Sequence, residues 1–175
     1  MTRPPQSVPF TLRPQAEADT PAIDALLDEA FGPGRYAKPS YRLREGGAPV
    51  AGLSFVGASE EGLVGSIRFW PVAVRGGNGA ATPALLLGPL AVRPDLHGRG
   101  IGLALMARGL EAAAAAGHRL VILVGDLPYY ARAGFSRVPA RQLRMPQPYD
   151  PARLLWRELV AGACDGVSGV LAPAR

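Results

Sequence analysis

The stretch "LLLGPLAVRPDLHGRGIGLALM", Leu85 to Met106, decides how this chain is read. It begins as an apolar strand, is interrupted by Gly88-Pro89, turns through Gly98, Gly100 and Gly102, and ends in a helical pattern. Glycines between a strand and a helix let the chain curl so that successive N–H groups point inward, and the following helix adds its positive dipole end. Such a nest holds a diphosphate without side-chain charge, although His97 and Arg99 can add some. The same glycines also suit a plain tight turn that needs small residues for packing. Spacing narrows the ligand. A P-loop ends in Gly-Lys-Ser/Thr, whereas this turn runs on as Gly102-Leu103-Ala104. A dinucleotide fold needs G-x-G-x-x-G early in a repeated βαβ pattern. Here the spacing is G-x-G-x-G, and it comes after half the chain.

Gly88-Pro89 adds the second half of the argument. Proline cannot donate to a sheet ladder, so a buried strand that contains it must be bulged or locally unpaired. A bulge here predicts that the strand splays from its neighbour "RLVILV" and frees backbone N–H and C=O groups around Leu90, Ala91 and Val92. A ligand with amide groups along an extended arm can pair with them as a surrogate strand. A diphosphate at the helix end and an amide-bearing arm along the strand together describe coenzyme A.

Working outward, "FTLRP" from Phe10 predicts a short strand, and Asp19 or Thr20 caps a helix with Pro21 in its first turn over "AIDALLDEAF". "PSYRLRE" predicts a short second helix. "VAGLSFVGAS" and "GLVGSIRFWPVAV" read as a hairpin joined by the polar "SEEG", and "LLLGPLAV" as the next strand. From Gly100 a helix runs to Gly117 with Leu103, Met106, Leu110 and Ala114 on one face. "RLVILVGD" is the continuous apolar run of a buried central strand. "LPYYARAGF" predicts a short helix ending at Gly134, and strands follow in "FSRVPARQLRM", "RLLWRELVAG" and "GVSGVLAP". The sum is a mixed α/β domain.

Composition bounds the function. A chain of 175 residues suits one domain. The formal charge of +5 comes from eighteen Arg and one Lys, Lys38, spread along the chain without interleaved aromatics. A dispersed positive field fits a small anionic ligand, and nucleic acid is not expected as a partner. The single cysteine, Cys164, excludes an internal disulfide and a cysteine-based metal cluster, and His97 and His118 do not make a metal site. With no signal-peptide core and no membrane-length apolar run, a soluble cytoplasmic protein is expected.

On these residues the chain resembles the GNAT superfamily of acyl-CoA N-acyltransferases. The family's [Q/R]-x-x-G-x-[G/A] signature, between a bulged strand and a helix, corresponds to "HGRGIG", His97 to Gly102. The later "YYARAGF" is similar to the family pattern too. More narrowly, "LGPLAVRP…GRGIG…VGDLPYYARAGF" with "PQPYDP…ELVAGA…GVSG" looks like the YhbS-type group. His97 departs from the usual Gln or Arg. The departure costs little if the diphosphate is held by backbone N–H groups.

The resemblance implies a GNAT-type, mostly antiparallel sheet of six to seven strands, splayed at a bulged central strand and flanked by about four helices. It implies a single N-acetyltransferase domain over 1–175, with a flexible tail at 1–8, a core for acyl-CoA and catalysis at 85–135, and C-terminal strands at 146–175. Acetyl-CoA is the expected co-substrate, held by Leu90, Ala91, Val92, His97, Gly98, Arg99, Gly100, Ile101, Gly102 and Tyr130, with no metal. Its acetyl group passes directly to an amine acceptor, small molecule or peptide; a homodimer is compatible with this.

Tyr130, four residues before Gly134 as in the family's Y-x-x-x-G-F, is the expected acid for the leaving thiolate, and Tyr129 the packing aromatic. Asp126 is the candidate base, though an Asp before Leu-Pro equally suits a helix N-cap. Glu29, Glu45 and Glu158 are unplaced, and Cys164, with no His nearby in sequence, is not expected as a nucleophile. The loop "FGPGRYAKPSY" offers Arg35, Tyr36, Lys38 and Tyr41 either to an acidic or aromatic acceptor or simply to solvent. The alternative from another class is an acyl-CoA-binding module without turnover, favoured by the lack of an acid in "LLLGPLAV".

Overall fold

The computed structural model describes residues 8–174. The tail expected over 1–8 therefore lies outside the described residues except for Val8, which packs against the core. The chain runs β1 (Thr11–Pro14), α1 (Thr20–Phe31), α2 (Pro39–Arg42), β2 (Phe55–Ser59), β3 (Gly62–Arg75), β4 (Ala81–Val92) and α3 (Ile101–Ala115). It continues through β5 (Leu120–Val124), α4 (Leu127–Tyr130), β6 (Ser136–Arg137), β7 (Leu143–Arg144), β8 (Leu154–Glu158) and β9 (Gly169–Pro173). All nine strands join one sheet ordered β1-β2-β3-β4-β5-β8-β6, with β9 pairing β3 and β7. Pairing is antiparallel except at β4–β5 and β7–β9. The expected mixed, mostly antiparallel architecture with four helices is what forms, with nine strands in the sheet where six to seven are expected. Two of the strands, β6 and β7, are only two residues long.

The bulge sits where the proline requires it. Ile67 pairs with Leu90 and Phe69 with Leu87, so the single residue Arg68 stands opposite both Gly88 and Pro89. One extra residue inverts side-chain parity along β4. Leu85 and Leu87 before it, and Leu90 and Val92 after it, all pack in the layer that contains α3. Ala84 and Leu86 face the opposite layer, and Ala91 packs there with Ile23, Leu26 and Leu27 of α1. Beside the bulge the sheet opens. β5 pairs with β4 only at Leu85↔Val121 and Leu86↔Ile122, then diverges.

Helix α3 buries a face different from the one its spacing suggests. Ile101, Leu105, Met106, Leu110 and Ala113 are buried, while Leu103 is partly exposed and Ala114 exposed. Two glycines set that face. At Gly109 a Cβ would run into the Phe69 ring, and at Gly65 on β3 it would lie 2.8 Å from Leu105. Helix and sheet therefore approach backbone to side chain, and α3 rotates to keep Gly102 and Gly109 inward. Gly117, at φ 88°, ends the helix in the left-handed region, and His118 N–H closes it on Ala113 O at 3.0 Å.

Two local readings change. Asp19 occupies the N-cap position of α1 but makes no capping hydrogen bond. Its carboxylate instead accepts from Arg13 at 2.7 and 2.9 Å and from Ala16 N–H at 2.7 Å, which together hold it down at about 2. The stretch "FSRVPARQLRM" is not one strand. Pro139 interrupts it, Arg141 takes φ 67°, and the two halves join different partners, β6 with β8 and β7 with β9.

Candidate active site

The opening between β4 and β5 widens into a cavity of about 870 Å³, at the large end of the ~300–1,000 Å³ typical of small-molecule sites. One end is made of backbone. Gly98 and Gly100 hold φ 77° and 81°, a region that other residues enter only with strain. The first bond inside α3 runs from Ala104 N–H to Gly100 O at 2.9 Å. The N–H groups of Ile101, Gly102 and Leu103 thus have no partner within the helix, and they lie at its positive end. His97 fastens this turn to the strand, its Nε2 standing 3.1 Å from Val92 O, which fits a donor at Nε2. Arg93 fixes the approach to the turn by pairing with Asp95 at 2.8 Å and Glu61 at 3.2 Å.

Along β4 the backbone groups alternate in direction. Arg93 N–H donates to Val64 O at 2.9 Å, so two residues back Ala91 also points its backbone into the β3 ladder. The same alternation turns the backbone groups of Leu90 and Val92 towards the gap. Of the three residues expected to offer free backbone, Ala91 is thus the exception, because antiparallel pairing with β3 persists beyond the bulge. Its role at the site is as wall, not as a pairing edge.

Helix α4 roofs the gap. The Tyr130 ring lies against Gly125, where any Cβ would overlap it, and is edge-on to Tyr129 at 5.0 Å and Phe135 at 6.1 Å. Burial pushes its phenol up to about 12, so it remains protonated at neutral pH. Tyr129 does more than pack. Its hydroxyl reaches Gly102 in the first turn of α3, filling the space a side chain would need there. Burial raises this phenol also. Asp126 begins α4, its backbone oxygen accepting from Tyr129 and Tyr130 N–H at 3.2 and 3.1 Å. Its side chain makes no cap. The carboxylate stands 3.3 Å from Arg153 Nε and is 77% exposed.

The other end of the cavity is made of side chains, including Lys38, Tyr41, Tyr149 and Asp150. From the loop after α1, only Lys38 and Tyr41 of the four expected residues reach it. Arg35 is buried, ion-paired to Asp28 of α1 and stacked 4.4 Å from the ring of Tyr36. It ties the loop to its helix, and Tyr36 is exposed. Glu29, Glu45 and Glu158 do not line the cavity; Glu158 accepts from Gly162 and Cys164 N–H at 2.6 and 3.3 Å in a turn elsewhere. Cys164 is also outside it, its thiol pushed up to about 12 by burial and by Glu158. Among the described residues no three His, Cys, Asp or Glu are grouped to hold a metal, and no helix is long and apolar enough to cross a membrane.

Arg44 was not expected here. It is 9% exposed, lines the cavity wall, and has Nη2 close beneath Gly88 at the bulge. In sequence it is one more arginine after a short helix; nothing in "YRLREGG" separates it from a solvated one.

Residues 11–138 match the model of the acetyltransferase (GNAT) domain family. A curated relative, the uncharacterized N-acetyltransferase YjhQ of Escherichia coli, is 30% identical over 128 residues, 73% of this chain and 70% of that one. Among solved structures, the GNAT family N-acetyltransferase YhbS of Escherichia coli in complex with CoA superposes with a TM-score of 0.80. It is 28% identical, over 98% of this chain and 93% of its own. A GNAT family acetyltransferase of Brucella melitensis in complex with acetyl-CoA gives 0.69 at 28% identity, over 93% and 94%.

Proposed function

The chain belongs to the GNAT acetyltransferase family, whose members are acetyl-CoA-dependent acyltransferases, and from that premise we propose that it moves the acetyl group of acetyl-CoA directly to a primary amine. One observation carries the reading. β4 leaves β5 at Leu86 and meets the glycine turn at its far end, with Tyr130 above the gap. The two relatives solved with CoA and with acetyl-CoA support the same ligand here. In this proposal the diphosphate lies on the N–H groups from Gly98 through Gly102, with Arg99 adding charge and His97 bracing the turn. The pantetheine amides pair with the backbone of Leu90 and Val92, and Ala91 and Ile101 form the walls.

The chemistry follows from that placement. The neutral amine attacks the thioester carbonyl carbon, the C–N bond forms, and the C–S bond breaks. The carbonyl oxygen gains charge as this happens, and a β4 N–H facing the gap stabilises it. The departing thiolate takes the Tyr130 proton, which a protonated phenol in a buried setting is suited to give. Asp126, open to solvent and held by Arg153, takes through water the proton that the ammonium must lose before attack. The proton the nitrogen sheds on becoming an amide passes through water to the Tyr130 phenolate. Products are the N-acetyl amine and the CoA thiol.

Thermal shift with acetyl-CoA, followed by thiol release across a panel of amines and peptide N-termini, tests this reading. A stabilised protein that releases thiol with at least one amine is the expected outcome. Stabilisation without any release would leave an acyl-CoA-binding module instead of an enzyme. The absence of stabilisation would remove the acyl-CoA site itself.

A further inference from the structure

Arg44 is a buried cation that no acidic group among the described residues pairs with. Its Nε and Nη1 are both buried without a hydrogen-bond partner, which leaves three N–H donors unused. What surrounds it is aromatic: the guanidinium carbon sits 4.6 Å from the Tyr41 ring and 5.9 Å from that of Trp70. Those two neighbours are orphaned as well, at Tyr41 Oη and Trp70 Nε1. Arg68, the residue opposite the bulge, adds a like charge. Desolvation brings Arg44 down to about 10, still protonated at neutral pH. Buried donors left unmade are costly, and a fold retains them where a ligand completes them.

The lining of the whole cavity has the same sign. Among the described residues, Lys38, Arg44, Arg99, Arg132 and Arg153 stand against Asp126 and Asp150. Arg99 belongs to the glycine turn, so it serves the diphosphate end. Arg44 lies at the bulge, against Gly88, where the thioester would be presented. A guanidinium with unmade N–H bonds in a fixed fork, beside the Tyr41 hydroxyl and the Trp70 indole N–H and with no carboxylate paired to it among the described residues, matches a carboxylate.

We propose that Arg44 binds a carboxylate of the acceptor, so that the substrate is a small amine carrying a carboxylate a few bonds from its nitrogen. The inference rests on the acetyl-transfer reading above and specifies its acceptor. Arg44 is a specificity-determining residue, and its reach to Gly88 places the bound carboxylate near the reacting carbonyl. The short spacing between amine and carboxylate follows from that proximity.

The test compares thiol release from acetyl-CoA with matched pairs of amines, each an α- or β-amino acid and its carboxamide. The carboxylate member is expected to be favoured in kcat/KM by about 30-fold or more, the scale for one partner of a buried charge pair. In Arg44→Met the ratio should collapse to about one, with acetyl-CoA affinity retained and Tm raised by about 2–4 °C as orphaned donors disappear. Arg44→Lys, which keeps the charge but not the fork, should fall between the two. Carboxamides used as well as carboxylates would overturn the assignment, as would turnover confined to amines that carry no carboxylate. A preference that persists in Arg44→Met, or an equal loss on both members of each pair together with a lowered Tm, would also overturn it. Thiol release with none of the amines tested, carboxylate-bearing or not, would instead remove the acetyl-transfer reading and this inference with it.

Discussion

The two ends of the cavity are built from different material. At the glycine turn the cavity is lined by main-chain N–H groups, set by φ values that only glycine adopts readily, at Gly98 and Gly100. At the opposite end they are side chains from distant segments: Lys38, Tyr41 and Arg44 from the region around α2, Tyr149 and Arg153 from beyond β7. A backbone site can bind one ligand chemistry with almost any side chains outside it. A side-chain site changes its ligand with each substitution. The first arrangement suits a co-substrate common to many relatives, and the second suits an acceptor particular to one protein.

Tyr130 stands between the two ends, and removing its hydroxyl is the strongest way to break this division. Tyr130→Phe should lower kcat by about 100-fold or more, the scale of a lost general acid, while acetyl-CoA binding stays as it was. Because burial holds the phenol near 12, the wild-type rate should show no loss from Tyr130 ionisation between about pH 7 and 10. A comparable fall in acetyl-CoA affinity would instead make Tyr130 a wall of the backbone end.

Gly100→Val addresses the backbone end directly. A β-branched residue at φ 81° is strained by about 2 kcal/mol, and relief of that strain displaces the N–H groups of the turn. Acetyl-CoA affinity should drop by about 30-fold in titration calorimetry, with amine preference unchanged. A shift in amine preference would show that the two ends are not separable.

Asp126→Asn should reduce kcat by about ten-fold, a modest loss because water carries part of the proton transfer. An unaltered kcat would assign the proton wholly to solvent and leave Asp126 as Arg153's partner. The smallest effect lies outside both ends. Asp19→Asn removes the Arg13 pair, a half-exposed contact worth about 0.5 kcal/mol after screening. The sign follows from a carboxylate held at about 2 instead of its usual 3.8. Its contribution is full above pH 3.8 and lost as pH falls through 2, so wild type and variant should converge in acid unfolding. Neither acetyl-CoA affinity nor amine preference should move.

How much of this was legible in advance depended on range. Pro89 announces a bulge because a missing N–H breaks a ladder wherever it occurs, and Gly98, Gly100 and Gly102 announce a curled turn for an equally local reason. The spacing of Tyr130 to Gly134 resembles the family pattern, and the structure puts Tyr130 in the cavity lining. Tyr129 reads as packing in sequence because its contact, Gly102, is remote along the chain and a glycine gives no sign of what fills the space beside it. The buried face of α3 was misread for a similar reason: helical spacing marks where apolar residues recur, but Phe69 pressing on Gly109 sets the rotation. "FSRVPARQLRM" read as one strand because its composition is uniform, although its halves find different partners.

The order of residues along the chain is enough to place the bulged strand, the glycine turn and the helix that follows, and with them the resemblance that implies the fold. Each of these is a property of neighbouring residues, and backbone geometry dictates it before any tertiary contact forms. Long-range packing sets the rest: Ala91 turns its backbone into the β3 ladder, Arg35 is bound to α1, and Arg44 lies buried beneath Gly88 with its Nε and Nη1 unbonded. Charge in a sequence has no direction. It acquires one when packing removes water from around it and leaves a cavity for what must replace that water.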